Sequence, residues 1–140
     1  ILTAPLRRYR EVNSWHEQKD GQARIRRPAR ANHPQQWELW WAYTLFYDTS
    51  NVKLRPVIIL ESRHDMIPVI ELTTHAPRDW LIWQYPLIDW ARAGLRHPST
   101  AVLGAIATLP KEALGRRIGR LSLTDITNIE CMLDMQRGEP

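Results

Sequence analysis

Two small clusters of side chains in this chain could act on an anion or a proton. Lys53 and Arg55 stand two residues apart, after a polar stretch holding Asp48, Ser50 and Asn51, and Arg55 runs through Pro56 into the apolar run Val57 to Leu60. A guanidinium is always charged, and its planar fork can hold two oxygens of an oxyanion at once. Alternatively, Arg55 caps the start of a strand or pairs with Asp48. Thr73 and His75 form the second cluster, at the end of an alternating segment. There Ile70 and Leu72 point one way while Glu71 and Thr73 point the other, which keeps Thr73 off the apolar face. Its hydroxyl can donate a hydrogen bond or relay a proton, although threonine also serves at strand ends as a plain β-former. His75 would share that face if the strand ran on. It is then either an acid or base or an ordinary loop residue before Ala76 and Pro77.

Other chemistries find little support. His16, His33, His64, His75 and His97 are scattered, and Cys131 is the single cysteine. Neither a zinc site nor an intramolecular disulfide fits that pattern. Cys131 falls on the polar side of a C-terminal helical segment, as a bystander rather than a nucleophile. There is no glycine-rich phosphate loop, so nucleotide hydrolysis is unsupported and no cofactor is expected.

The elements that must position these residues follow from patterning. The chain of 140 residues fits one compact domain with room for an arm, and its net charge of +4 is unevenly spread. Residues 1–36 hold eight Lys/Arg against three Asp/Glu, while residues 37–140 hold eleven against twelve. The first 36 residues therefore read as a basic N-terminal arm, helical in part over Thr3 to Lys19 and extended around Pro28 and Pro34. The globular domain is expected over 37–140. Trp37 to Tyr47 alternates with large residues on both faces, Pro56 opens a doubly covered strand at Val57 to Leu60, and Ile67 to Thr74 gives a third. Further short strands are predicted at Trp80 to Trp83, Tyr85 to Ile88, Thr100 to Leu103 and Ile106 to Leu109, with a helical turn at Asp89 to Ala93 closed by Gly94. Ser122 followed by Asp125 marks a helix start as a capping-box variant, and Leu123, Ile126, Ile129, Met132 and Leu133 form the buried stripe. Many short strands and one terminal amphipathic helix describe a mainly β (β+α) fold, a small barrel closed by a helix. No apolar run is long enough to span a bilayer and no signal-peptide layout is present, so a cytoplasmic protein with no membrane association is the expectation.

Two stretches, Trp37 to Leu60 and Tyr85 to Ser122, together resemble the MazF/PemK family of toxin endoribonucleases. The first has the order of a hydrophobic strand, a polar turn and Lys-Leu-Arg-Pro running into an apolar strand. The second has Asp89-Trp90, Gly94-Leu95, Pro98-Ser99, Thr108-Leu109 and Gly119-Arg120-Leu121-Ser122. The resemblance implies an SH3-like barrel, a homodimer, a cognate antitoxin, and metal-independent, sequence-selective cleavage of single-stranded RNA. By motif position it implies Arg55 and Thr73 as catalytic residues, to which His75 is added as a candidate acid or base from its place two residues on; Lys53, Asn51, Thr74, Trp83 (or Trp80) and Ser99 are the candidate RNA contacts.

Two departures stand out. Several relatives carry a basic residue and then a carboxylate where this chain has Val102 and Gly104, and their Gly-Asp opening is here Trp37-Glu38. The first leaves open a catalytically silent nucleic-acid-binding module. A gyrase-targeting toxin of the CcdB kind would share the barrel, but its relatives act through an aromatic C-terminal tail, whereas this chain ends Gln136-Arg137-Gly138-Glu139-Pro140.

Overall fold

The computed structural model describes residues 33–45, 52–78 and 83–138. The arm up to residue 32, Asp48, Ser50, Asn51 and Trp80 lie outside the described residues.

The described residues form six strands: β1 (Glu38–Leu45), β2 (Val52–Ile59), β3 (Met66–Thr73), β4 (Gln84–Pro86), β5 (Thr100–Pro110) and β6 (Leu114–Arg120). They form one antiparallel sheet in the order β4-β5-β3-β2-β1-β6, and no ladder joins β4 to β6 among the described residues. A 3-10 turn (Lys111–Ala113) leads from β5 into β6, and one helix, α1 (Leu123–Gln136), ends the fold. The mainly β architecture with a C-terminal helix is as expected.

Both faces of the central strands are covered, which accounts for the large residues on alternate positions of β1. Leu39, Ile58, Ile70, Leu72, Leu103 and Ile129 belong to one apolar layer, which packs between the sheet and α1. Trp40, Ala42, Val57, Ile59, Val69 and Leu109 form a second layer on the opposite face. Burial on both sides is the main stabilising term for such strands.

Several elements differ from the patterned expectation. The runs Thr100 to Leu103 and Ile106 to Leu109 are one strand, β5, with a register shift where it pairs with β3 between Val69 and Glu71. β4 is shorter and earlier than Tyr85 to Ile88, and Trp83 sits in a bend before it. β2 begins at Val52, so Pro56 lies inside it, opposite Trp41 of β1. β6 has no counterpart among the expected strands, because glycines and arginines interrupt its apolar positions. Ser122 caps α1 by accepting the Asp125 N–H at 3.2 Å. The Asp125 carboxylate is not turned back on the cap. It accepts the Tyr85 hydroxyl at 2.6 Å and the N–H groups of Ile88 and Asp89 at 3.0 and 2.9 Å, so tertiary partners take the place of a local capping box. Within the helix stripe Ile129 is buried, whereas Leu123 is 78% exposed because it occupies the first helical position, beyond the sheet.

Candidate active site

The site forms where two strands part. β2 and β3 pair from Ile59↔Val69 to Val57↔Glu71, and their ladder stops there. The next residue of β2 is Pro56, which has no N–H to give. Beyond it the strand partner of Arg55 is Ala42 of β1, and that of Thr73 is Thr100 of β5. Continuing the register would set Arg55 against Thr73; with the ladder broken, the two flank an open cavity of about 960 Å³.

A second wall comes from the segment between β4 and β5. The Asp125 carboxylate grips the start of its turn, as above, and Asn128 Nδ2 donates to the Tyr85 hydroxyl at 2.8 Å. Burial and the adjacent Asp125 push the Tyr85 hydroxyl up to about 12. The turn closes at Gly94 with φ of 102°, in the left-handed region that favours glycine. Its backbone rests directly on β6: a Cβ on Gly119 would lie 2.0 Å from the Ala93 carbonyl oxygen, and one on Gly94 would lie 2.7 Å from that of Ile118. Arg96 and His97 follow at the cavity rim, and the Ser99 hydroxyl donates to the His97 carbonyl at 3.0 Å.

β6 and β1 supply the third wall, with Arg116, Arg117, Trp41 and Tyr43. Arg117 Nε donates to Glu38 Oε2 at 2.8 Å. Glu38 also accepts the Trp40 indole N–H at 3.0 Å and the Gln35 N–H at 2.8 Å. Burial alone would raise its carboxyl, but these three bonds outweigh burial and hold it below its ordinary value of 4.5. Trp37 precedes it with φ of 70°, a left-handed conformation at the position where glycine is the residue expected by resemblance. The sequence makes up for the strain by burying the indole and by ladder-like bonds from Trp37 N–H to Ile59 and from Leu121 N–H to Trp37.

Four arginines (Arg55, Arg96, Arg116 and Arg117) line the cavity, and no carboxylate does among the described residues. Of the residues singled out from sequence, Arg55, Thr73, Thr74 and Ser99 line it. Thr73 Oγ1 accepts the His75 N–H at 3.2 Å, which leaves its own proton for another acceptor. His75 and Lys53 are exposed and do not line the cavity, and Trp83 packs against the apolar layer under α1. Val102 is buried and Gly104 exposed without a side chain. Arg96, His97, Arg116, Arg117, Trp41 and Tyr43 were not assigned to the site from sequence. No group of three or more His, Cys, Asp or Glu that could hold a metal ion occurs among the described residues. No helix among them is long and apolar enough to cross a membrane.

Comparison with known proteins gives a consistent result. No curated protein sequence matches the chain. Among solved structures, the Mycobacterium tuberculosis toxin MazF-mt6 is 24% identical, covers 74% of this chain and 98% of its own, and superposes with a TM-score of 0.59. An endoribonuclease in complex with its cognate antitoxin, from a mycobacterial species, is 18% identical over 76% of this chain and 97% of its own, at 0.58. MazE-MazF from Deinococcus radiodurans is 11% identical over 77% and 99%, at 0.59. These likenesses establish the fold. A family model described as "PemK-like, MazF-like toxin of type II toxin-antitoxin system" matches residues 35–135, which is most of the chain, all six strands and the helix up to Met135. The chain therefore belongs to the PemK-like, MazF-like toxin family of type II toxin-antitoxin systems.

Proposed function

We propose that the protein is a metal-independent endoribonuclease that cuts single-stranded RNA at selected sequences, acting in the cytoplasm as the toxin of a type II pair. The observation that carries this reading is the cavity at the broken β2–β3 ladder, flanked by Arg55 and Thr73 and lined by arginines without a carboxylate. A polyanion is the ligand such a surface attracts.

In the reaction the 2′-hydroxyl attacks the adjacent phosphorus, the P–O5′ bond breaks, and a 2′,3′-cyclic phosphate and a 5′-hydroxyl result. One proton leaves the 2′-oxygen and one reaches the departing 5′-oxygen. Arg55 holds the non-bridging oxygens, where negative charge grows in the phosphorane. The Thr73 hydroxyl keeps its proton for a phosphate oxygen or the leaving group, since the His75 N–H occupies one of its lone pairs. For the remaining proton transfer His97, which lines the cavity, is better supported than His75, which does not. Trp41 and Tyr43 offer faces for unstacked bases, and Thr74 and Ser99 offer polar contacts at the rim. Lys53, exposed on the same strand as Arg55, and Asn51 just before that strand, would meet phosphates further along.

The same cavity suits a flexible acidic or apolar tail of an antitoxin, which would order as it binds and cover the catalytic residues. The active species is a homodimer, and the basic arm, residues 1–36, adds phosphate affinity outside the catalytic domain. Copurification with a small neighbouring protein tests the antitoxin; loss of RNA cleavage in that complex is the expected result.

The decisive experiment is incubation of the purified protein with mixed-sequence single-stranded RNA in EDTA, beside an Arg55→Ala control, with both ends of each fragment mapped. Discrete cuts bearing cyclic phosphate, absent in the control, are expected. Salt-sensitive binding with intact RNA in both tubes would instead establish a catalytically silent binding module, in line with the side chains missing at Val102 and Gly104.

A further inference from the structure

Glu71 is a carboxylate in apolar surroundings. It is 5% exposed, and the residues directly opposite it on the two neighbouring strands are Val57 of β2 and Val102 of β5. Neither can balance its charge, and a buried carboxylate is stable only with a cation or several donors about it. Thr44 is among its donors: Thr44 Oγ1 gives its proton to Glu71 Oε2 at 2.7 Å. Thr44 belongs to β1, opposite Lys53 of β2, while Glu71 belongs to β3, opposite Val57. The bond therefore passes over β2, and the residue of β2 midway between those two positions on that face is Arg55. Arg55 shares the face because its partner on β1 is Ala42, buried with Val57 in the second apolar layer. Diagonal neighbours on adjacent strands stand about 7–8 Å apart, within reach of two long side chains. Arg55 Nε is shut away from solvent, whereas Lys53, the other cation of β2 on this face, is exposed.

We infer that Glu71, anchored by Thr44, is a positioning residue for Arg55: it takes one edge of the guanidinium and leaves the other turned to the cavity. The inference rests on the reading of Arg55 as the phosphate ligand. An arginine at the mouth of an open cavity has many rotamers, and one held from behind presents its fork in a single orientation, so the phosphorane meets donors already in place. Glu71 stays charged throughout and exchanges no proton with RNA.

Glu71→Gln keeps the size of the side chain and an acceptor for Thr44 but removes the charge. Its kcat for a short single-stranded RNA is expected to fall about 10- to 100-fold, with KM changed by less than about threefold and the shape of the pH profile kept. Loss of one limb of that profile would assign Glu71 to proton transfer and overturn the inference, as would an unchanged kcat. A second readout needs no RNA. The Arg55 Nε–H resonance, assigned by its loss in Arg55→Ala, is expected to shift and to exchange faster with solvent in Glu71→Gln, and an unmoved resonance overturns the pairing. If the wild-type protein leaves RNA intact, the proposed activity fails while this resonance still decides the pairing. Should Glu71→Gln not fold, Thr44→Val removes only the anchoring hydroxyl, and a loss in kcat of about threefold to tenfold is expected.

Discussion

Arg117 reaches from β6 to β1 and donates its Nε–H to the Glu38 carboxylate at 2.8 Å, so one wall of the cavity is tied to the first strand by a largely buried acceptor. Because Glu38 has a folded carboxyl below its ordinary 4.5, the stability it contributes is present above that pH and is lost as pH falls through the folded value. Glu38→Gln is expected to cost about 1–3 kcal/mol at pH 7. The difference in Tm between the two proteins should shrink as pH drops below 4.5, the ordinary carboxyl value. Thermal unfolding followed across that range checks it, and a constant difference would speak against the assignment.

Arg55→Ala should lower kcat by about 100- to 1,000-fold, the usual loss when one donor to a developing oxyanion is removed. Arg55→Lys keeps the charge without the planar fork and should recover little of it. Single-turnover cleavage of a fixed RNA measures both, and full recovery by lysine would show that charge alone suffices.

Thr73→Val removes the hydroxyl but keeps the β-branched shape that suits the strand end. A loss in kcat of about 10- to 100-fold is expected, with Thr73→Ser near wild type. The His75 N–H loses its acceptor in the valine variant alone. Equal rates for all three proteins would leave Thr73 a structural residue.

The arginines at the rim should reveal themselves through salt. Arg96→Gln and Arg116→Gln are each expected to weaken RNA binding and to lower the slope of log K against log salt by about 0.7, the value for one phosphate contact on a single strand. Titration of a non-cleavable RNA at several salt concentrations reads the slope, and an unchanged slope removes that residue from the interface.

Asp125 is fully buried and accepts hydrogen bonds from the Tyr85 hydroxyl of β4 and from the Ile88 and Asp89 N–H groups of the segment that carries Arg96 and His97. Asp125→Ala strands those donors and should destabilise the fold by about 3–5 kcal/mol. Tyr85→Phe removes only one donor and should cost about 1–2 kcal/mol. Urea unfolding measures both; a smaller loss for Asp125→Ala than for Tyr85→Phe would contradict the order of these contacts.

The strands β1 and β3 were legible because their alternation is uninterrupted, and α1 because Ser122 marks its start. β6 was not legible: Gly115, Arg116, Arg117, Gly119 and Arg120 leave Leu114 and Ile118 as isolated apolar positions, and pairing with β1 makes it a strand all the same. The wall it forms, with Arg116 and Arg117, was invisible for the same reason. Motif order led to Arg55 and Thr73, which do flank the cavity. His75 stood out because it lies two residues after Thr73, whereas His97 reaches the cavity only through the Asp125-held turn, a relation that no local pattern carries. The role of Pro56 was half legible. By sequence it opens a strand; within the sheet it ends a ladder.

At Gly94 and Gly119 the two outer walls of the cavity meet backbone to backbone, with no room for a side chain between them. The width of the gap is thus set by main chain, while the residues that would read a substrate (Arg96, His97 and Arg116) stand on its rim and are exposed. Frame and vocabulary are separated. Rim positions can be exchanged one at a time without reopening the frame, which makes this a scaffold on which new sequence preferences can be selected by altering a few exposed side chains.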